Sequence, residues 1–429
     1  MSNRCLWRTA RAAFFLIPLT ATAADPLENL PFNIAGGAPN LDVRTRYESV
    51  EQDSMAASAY ASTVRARVGY TTGKWNAFDV QLEYEGATTL GSSHFNSSEN
   101  GRITYPMVAD PDFNELNQAW IRYTGLPSTT LKYGRQRLVF DNQRFVGNVG
   151  WRQNEQTYDA FSLSSTIIPR VTFDYAWISN VNAFRFFDFD PDPAATSLDD
   201  DIDVKGHYVR AAVAVVEKKL TVTPYALFLD FDEVPAPTLA REDTRTLGAR
   251  VTGAMPVAML SWSYALEYAQ QKDYEDASDA VDADYQLIET GLAYQKGKGP
   301  SVKGAVGLET LGGDGTYSFQ TPLATLHAFQ GWADQFLVTP AGGIEDLYAS
   351  LGGTYGKASL TAVYHDYQSD EGSVDYGTEI NLLASYAVID NLTIGAKYAD
   401  YDADEFPVAG TPAAPFDTTK LWVWADYKF

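Results

Sequence analysis

From Leu41 to the C-terminal Phe429, apolar and polar residues alternate in one segment after another. In "LDVRTRYESV", Leu41, Val43, Thr45, Tyr47 and Ser49 point one way, and Asp42, Arg44, Arg46 and Glu48 the other. In "FDVQLEYEG", Phe78, Val80, Leu82 and Tyr84 oppose Asp79, Gln81, Glu83 and Glu85. A period of two is the mark of a strand, and a sheet with one apolar face lays it on a core or in lipid. Two features select lipid. The segments are about 9–13 residues long, enough to cross a bilayer at a tilt, and their connections alternate between short and long.

The short connections fall near residues 71–75, 124–130, 164–170, 216–220, 253–259, 295–301, 355–359 and 388–391. The long ones fall near 50–60, 87–115, 137–157, 180–203, 230–243, 271–284, 311–345, 368–376 and 402–417. With both termini on the periplasmic side, these give about 18 strands, an even number as a closed bacterial barrel requires. The expected fold is all-β: one transmembrane antiparallel β-barrel with short periplasmic turns and long extracellular loops. Its last strand, "LWVWADYKF", puts Leu421, Val423, Ala425, Tyr427 and Phe429 on one face and ends on an aromatic residue. That ending resembles the signal by which the barrel-assembly machinery recognises outer-membrane proteins.

The first residues read as a secretory signal. Arg4, Arg8 and Arg11 precede an apolar stretch from Ala12 to Leu19 and a small-residue cleavage site at Ala21-Thr22-Ala23. The expected organisation is a signal peptide over 1–23, a periplasmic segment over 24–40 and the barrel over 41–429. The one cysteine, Cys5, lies inside the signal, so the mature chain has neither a disulfide nor a thiol nucleophile. Aromatic residues make up 13% of the chain, with 26 Tyr, and after the signal no apolar run is long enough for a membrane helix. A net charge of −23 excludes nucleic acid as a partner. It does not exclude an anionic ligand, since placement of charge matters more than its total.

Nothing in the sequence signals catalysis. His94, His207, His327 and His365 form no HExxH or close pair, and no GxSxG is present. The sharpest acidic cluster is "DFDPDPAATSLDDDID", where Asp188, Asp190, Asp192 and Asp199 imitate the offsets of a calcium loop. Pro193 stands where that motif needs Gly, so the plainer reading is a solvated loop that at most holds Ca2+ weakly. No cofactor is implied.

The arginines carry more information. Alternation puts Arg44, Arg46, Arg65, Arg67 and Arg122 on the lumen face of their strands, and Arg135, Arg137, Arg144 and Arg152 follow in a polar stretch over 133–161. Arginine is costly on a lipid face and useful in a pore, where its rigid fork holds carboxylates. Asp42, Asp79, Glu83 and Glu85 share the lumen. Two roles stay open for each arginine: a ladder of opposed charges bracing the barrel, or a contact for an anionic solute. In "TPLATLHAFQGWADQFL", Leu323, Leu326, Phe329, Trp332 and Phe336 recur at helical spacing. This predicts a short amphipathic helix packed at the rim or in the mouth.

"LNQAWIRYTG", "LKYGRQRLVFDNQRFVG", "WRQNEQTYDAF", "TPLATLHAFQGWADQFLVTP" and "GIEDLY" resemble the alginate export family of outer-membrane porins, a similarity running from about Asn40 to Phe429. The resemblance implies a monomeric barrel in outer-membrane lipid, with a narrow arginine-lined conduit through which an anionic polysaccharide leaves the periplasm. It implies periplasmic export components as partners, and loops folded over the pore. Arg144 and Arg152 would then meet carboxylates, and Gln and Asn would meet sugar hydroxyls. The alternatives are an uptake porin for small organic acids or sugars and, from another class, a barrel hydrolase.

Overall fold

The computed structural model describes residues 36–91, 94–183, 201–232, 242–295, 297, 299–404 and 416–429. The chain forms β1 (Ala38–Gln52), β2 (Ala59–Thr71), β3 (Phe78–Thr89), β4 (Phe113–Tyr123), β5 (Thr129–Gln136) and β6 (Thr157–Ser165). It continues through β7 (Val171–Asn182), β8 (Asp201–Val216), β9 (Leu220–Phe231), β10 (Thr244–Val257), β11 (Leu260–Asp273) and β12 (Asp282–Gln295). The last six are β13 (Ser301–Leu311), β14 (Ile344–Tyr355), β15 (Ala358–Gln368), β16 (Asp375–Ile389), β17 (Leu392–Asp402) and β18 (Thr418–Lys428).

Each strand pairs antiparallel with its sequence neighbours, and β1 pairs with β18 from Asp42↔Lys428 to Gln52↔Thr418. The result is a closed 18-stranded barrel. Closure leaves no strand edge, so every strand can satisfy its backbone groups within lipid. Short and long connections alternate in the expected number and order. β1 starts at Ala38 rather than Leu41, because its ladder with β2 extends to Ala38↔Thr71.

The two faces separate by chemistry as the alternation requires. Leu82, Leu351 and Leu360 on the outer wall are 58%, 61% and 64% exposed. On the inner wall Arg46, Arg65, Glu48 and Glu85 are buried. The expected signal peptide lies outside the described residues, as do Asp188, Asp190, Asp192 and Asp199.

The lumen is not an open tube. The connections over residues 137–156 and 312–343 turn inward, and the barrel holds an apolar core around them. Phe145 from the first meets Tyr225, Tyr285 and Phe319, while Phe336 from the second packs on Tyr367, Tyr376 and Tyr401. Here the structure corrects an expectation: residues 321–337 form turns, and no helix occurs among the described residues. Leu326, Gln330, Gly331 and Asp334 all take positive φ (57°, 48°, 80° and 60°), which breaks a right-handed helix every few residues. The apolar spacing instead suits a folded loop whose Leu323, Leu326 and Phe336 are buried.

Candidate functional site

The two inward loops are joined by backbone hydrogen bonds. Gly147 N donates to the Leu323 carbonyl at 2.9 Å, and Thr325 N to the Gln143 carbonyl at 3.0 Å. Gly147 is required here, since a Cβ at that position would stand 2.9 Å from Thr325 N. Together the loops form a plug, and most of the arginines singled out in the sequence tie it to the wall.

On β1, Arg44 pairs with Asp426 at 2.7 Å and donates to the carbonyls of Gly150 (3.2 Å) and Trp151 (2.9 Å). Arg46 donates to the Trp151 carbonyl at 2.7 Å and binds Asp110. Arg67 holds Glu85 at 2.8 Å and Glu155 at 3.4 Å, and Arg137 holds Glu83 at 2.7 Å and also Glu155. Burial alone would raise the Glu155 carboxyl, but Arg67 and Arg137 outweigh it and keep it below the usual carboxylate range. Arg122 grips Asp79 through both oxygens, at 2.8 Å from Nε.

Arg144 and Arg152 do not project into open space. Both are 2% exposed. Arg144 lies 3.0 Å from Glu309, with its guanidinium 4.6 Å from the Phe329 ring. Arg152 bridges Glu48 at 3.2 Å and Asp334 at 2.9 Å, and Asp334 also takes Lys420 at 3.1 Å. Arg135 corrects an expectation, because it belongs to β5 rather than the loop. It lies on the barrel's outer face with Tyr133 and pairs with Asp159 at 2.9 Å. We therefore expect Arg135→Gln to leave single-channel conductance and ion selectivity unchanged; a shift in either would place it in the conduit after all.

Arg65 is held from within the wall. Register sets it directly opposite Arg44, with Asp42 opposite Arg67 in the next inward pair. Like charges face to face are destabilising. Asp42 relieves this by binding Arg65, yet the guanidinium is fully buried and, among the described residues, its Nε and Nη1 have no acceptor. Arg46 Nε and Arg67 Nε are also buried without one. The wall of β1 and β2 thus holds more buried N–H donors than acceptors.

A second cluster was not legible in sequence. Lys397 on β17 donates to His327 Nε2 at 2.7 Å, and His327 Nδ1 meets Asp334 at 2.6 Å. Burial pushes the His327 imidazole down to about 3 despite Asp334, so it stays neutral and its Nε2 can accept an N–H from Lys397. The Lys397 Nζ lies 4.1 Å from the Trp151 ring and 3.9 Å from that of Trp332, and Trp151 stacks on His327 at 4.9 Å. Trp332 thus packs within the plug. The five residues of this cluster come from two loops and a distant strand, and no local spacing announces such a meeting.

A closed antiparallel barrel with an apolar outer wall and a charged, loop-filled lumen is the architecture of an outer-membrane channel protein. Residues 40–315, more than half of the chain, match the alginate export family, and the chain belongs to that family. It is a channel rather than an enzyme. No curated protein matches it. Among solved structures it is similar to OccD3 (OpdP) of Pseudomonas aeruginosa, with a TM-score of 0.64 and 14% identity over 96% of each chain. It is also similar to OccAB4 of Acinetobacter baumannii, with a TM-score of 0.67 and 13% identity over 93% of this chain and 100% of that one. A third is Pseudomonas aeruginosa OpdK with vanillate, with a TM-score of 0.64 and 12% identity over 92% and 99%. At these identities the likeness speaks for the fold.

Proposed function

We propose that the channel passes carboxylate-bearing solutes, sugar acids above all, in single file along the arginines of β1 to β4. Arg65 carries this reading: a buried guanidinium between Arg44 and Arg67 with two N–H groups that lack an acceptor among the described residues. Carboxylate oxygens are the partners such a fork takes best. Family membership makes a uronate chain leaving the cell the first candidate. Uptake of small organic acids is the alternative, favoured by the hydrogen-bonded plug, which a polymer would have to part. The fold shared with OpdK, solved with the carboxylate vanillate, fits that alternative too. In either case the short turns and both termini face the periplasm, and the barrel works as a monomer.

Reversal potentials in planar bilayers under a salt gradient test this reading. The channel should prefer anions despite its net charge of −23, because loop carboxylates in water are screened within about 8–10 Å. Arg65→Gln should move the permeability ratio towards unity. Cation selectivity in the unaltered channel would defeat the proposal.

A further inference from the structure

One row of inward side chains near the 124–128 turn is not balanced in charge. Register runs Asp79↔Arg122, Arg122↔Lys132 and Lys132↔Ser162 across β3 to β6. Asp79 is committed to Arg122 through both oxygens. Lys132 therefore faces a cation on one side and a serine on the other. Among the described residues it has neither an ion pair nor a hydrogen bond. What steadies the two cations is the indole of Trp120, which is 6% exposed. The Lys132 Nζ lies 4.8 Å from the ring centroid and the Arg122 guanidinium carbon 5.2 Å. An aromatic face attracts a cation but cannot neutralise it, so the row keeps an excess positive charge.

The surroundings add to that charge. The short-turn rim carries Lys74, Arg170, Lys218, Lys219 and Lys357 against Glu217 and Asp390. Such a ring raises the local concentration of anions at the mouth. Arg137, whose side chain is 30% exposed, follows β5 directly and opens the plug loop.

We propose that Lys132 and Arg122, seated on Trp120, form a binding site at the short-turn mouth for the carboxylate of a sugar acid. The site captures the carboxylate between the ammonium and the guanidinium before it reaches Arg137 and the plug. This rests on the carboxylate reading above, but it concerns the mouth and not the constriction.

The test is block of single-channel current in the full barrel by glucuronate, with glucose as the neutral control, each added to one side. Lys357→Cys on a short turn, reacted with an impermeant thiol reagent, identifies the side. The chain's one native cysteine, Cys5, lies in the expected signal. Glucuronate should block from the short-turn side, and Lys132→Gln should weaken that block about tenfold, the worth of one charge-assisted contact. Lys132→Arg should restore most of it, and block from the long-loop side should not change. Lys132 holds no resident carboxylate, so its loss leaves no buried charge behind, and heat-modifiable mobility checks assembly. Equal block of the Lys132→Gln and unaltered channels from the short-turn side would overturn the proposal, as would absence of any glucuronate block from that side. Reversal potential reports the constriction separately. Cation selectivity with an intact, Lys132-dependent block defeats the passage reading and supports the mouth site. Anion selectivity with a block indifferent to Lys132 defeats the mouth site alone.

Discussion

Excising residues 316–340 is expected to raise single-channel conductance several-fold while the barrel still assembles. The loop is pinched at its base: Gly315 N donates to the Ala341 carbonyl at 2.9 Å, and Gly313 bridges Ser318. Joining Gly315 to Ala341 is therefore a local edit that strains neither β13 nor β14. What it removes is half of the plug, including Phe319, Leu323, Trp332 and Phe336. An 18-stranded barrel without such filling leaves an aqueous channel. Strand pairing does not depend on the loop, so heat-modifiable mobility should persist. Conductance equal to that of the full chain, in an assembled barrel, would show that the current bypasses this loop.

Arg152→Ala should cost about 3–5 kcal/mol of stability, because it strands buried Glu48 and Asp334 without their shared cation. Lys420 remains for Asp334 at 3.1 Å and softens the loss on that side. Glu48 keeps Arg46, 3.5 Å away, but Arg46 is already bound to Asp110. Replacing Arg152 and Glu48 together, with Arg152→Met and Glu48→Gln and Asp334 left to Lys420, should recover much of the stability, since neutral groups carry no desolvation penalty for charge. Denaturant midpoints in detergent read both variants. If Arg152→Ala unfolds at the unaltered midpoint, the pairs drawn around it contribute nothing. If the double variant is no better than the single one, the loss comes from shape and not from charge.

The strands were legible because a barrel wall obeys a local rule. Each residue of β1 or β3 faces lumen or lipid according to its parity, and Arg44, Arg46, Asp79 and Glu85 announce their side within a few neighbours. Parity fails where the ladder slips. The register shift between Glu83 and Tyr84 on β3 marks where face assignments cannot be carried from strand to strand. Arg135 obeys parity, sharing the outer face with Tyr133, and was missed because the polar stretch over 133–161 begins inside β5. The plug was legible as composition and not as geometry. Arginine, Gln and Asn in residues 137–156 signalled a polar, inward task, but pairings such as Arg152 with Asp334, or Lys397 with His327, join segments far apart in sequence. Only closure of the barrel brings them together. The helical spacing of Leu323, Leu326 and Phe336 misled for a related reason: burial against a curved wall satisfies apolar side chains without asking for a repeating backbone.

The Arg152 bridge has a bearing on how the molecule is put together. Every neighbouring pair of strands is joined by a stretch of chain except β1 and β18, which are held together along the wall by pairing alone. Glu48 stands on β1 and Lys420 on β18, and Arg152 with Asp334 spans from one to the other on the inside. The plug therefore staples the one seam along which the barrel could unzip. The staple itself forms only when both strands and both loops are in place. A barrel closed around an emptied lumen would lack this staple and hold its seam by the wall's own pairing.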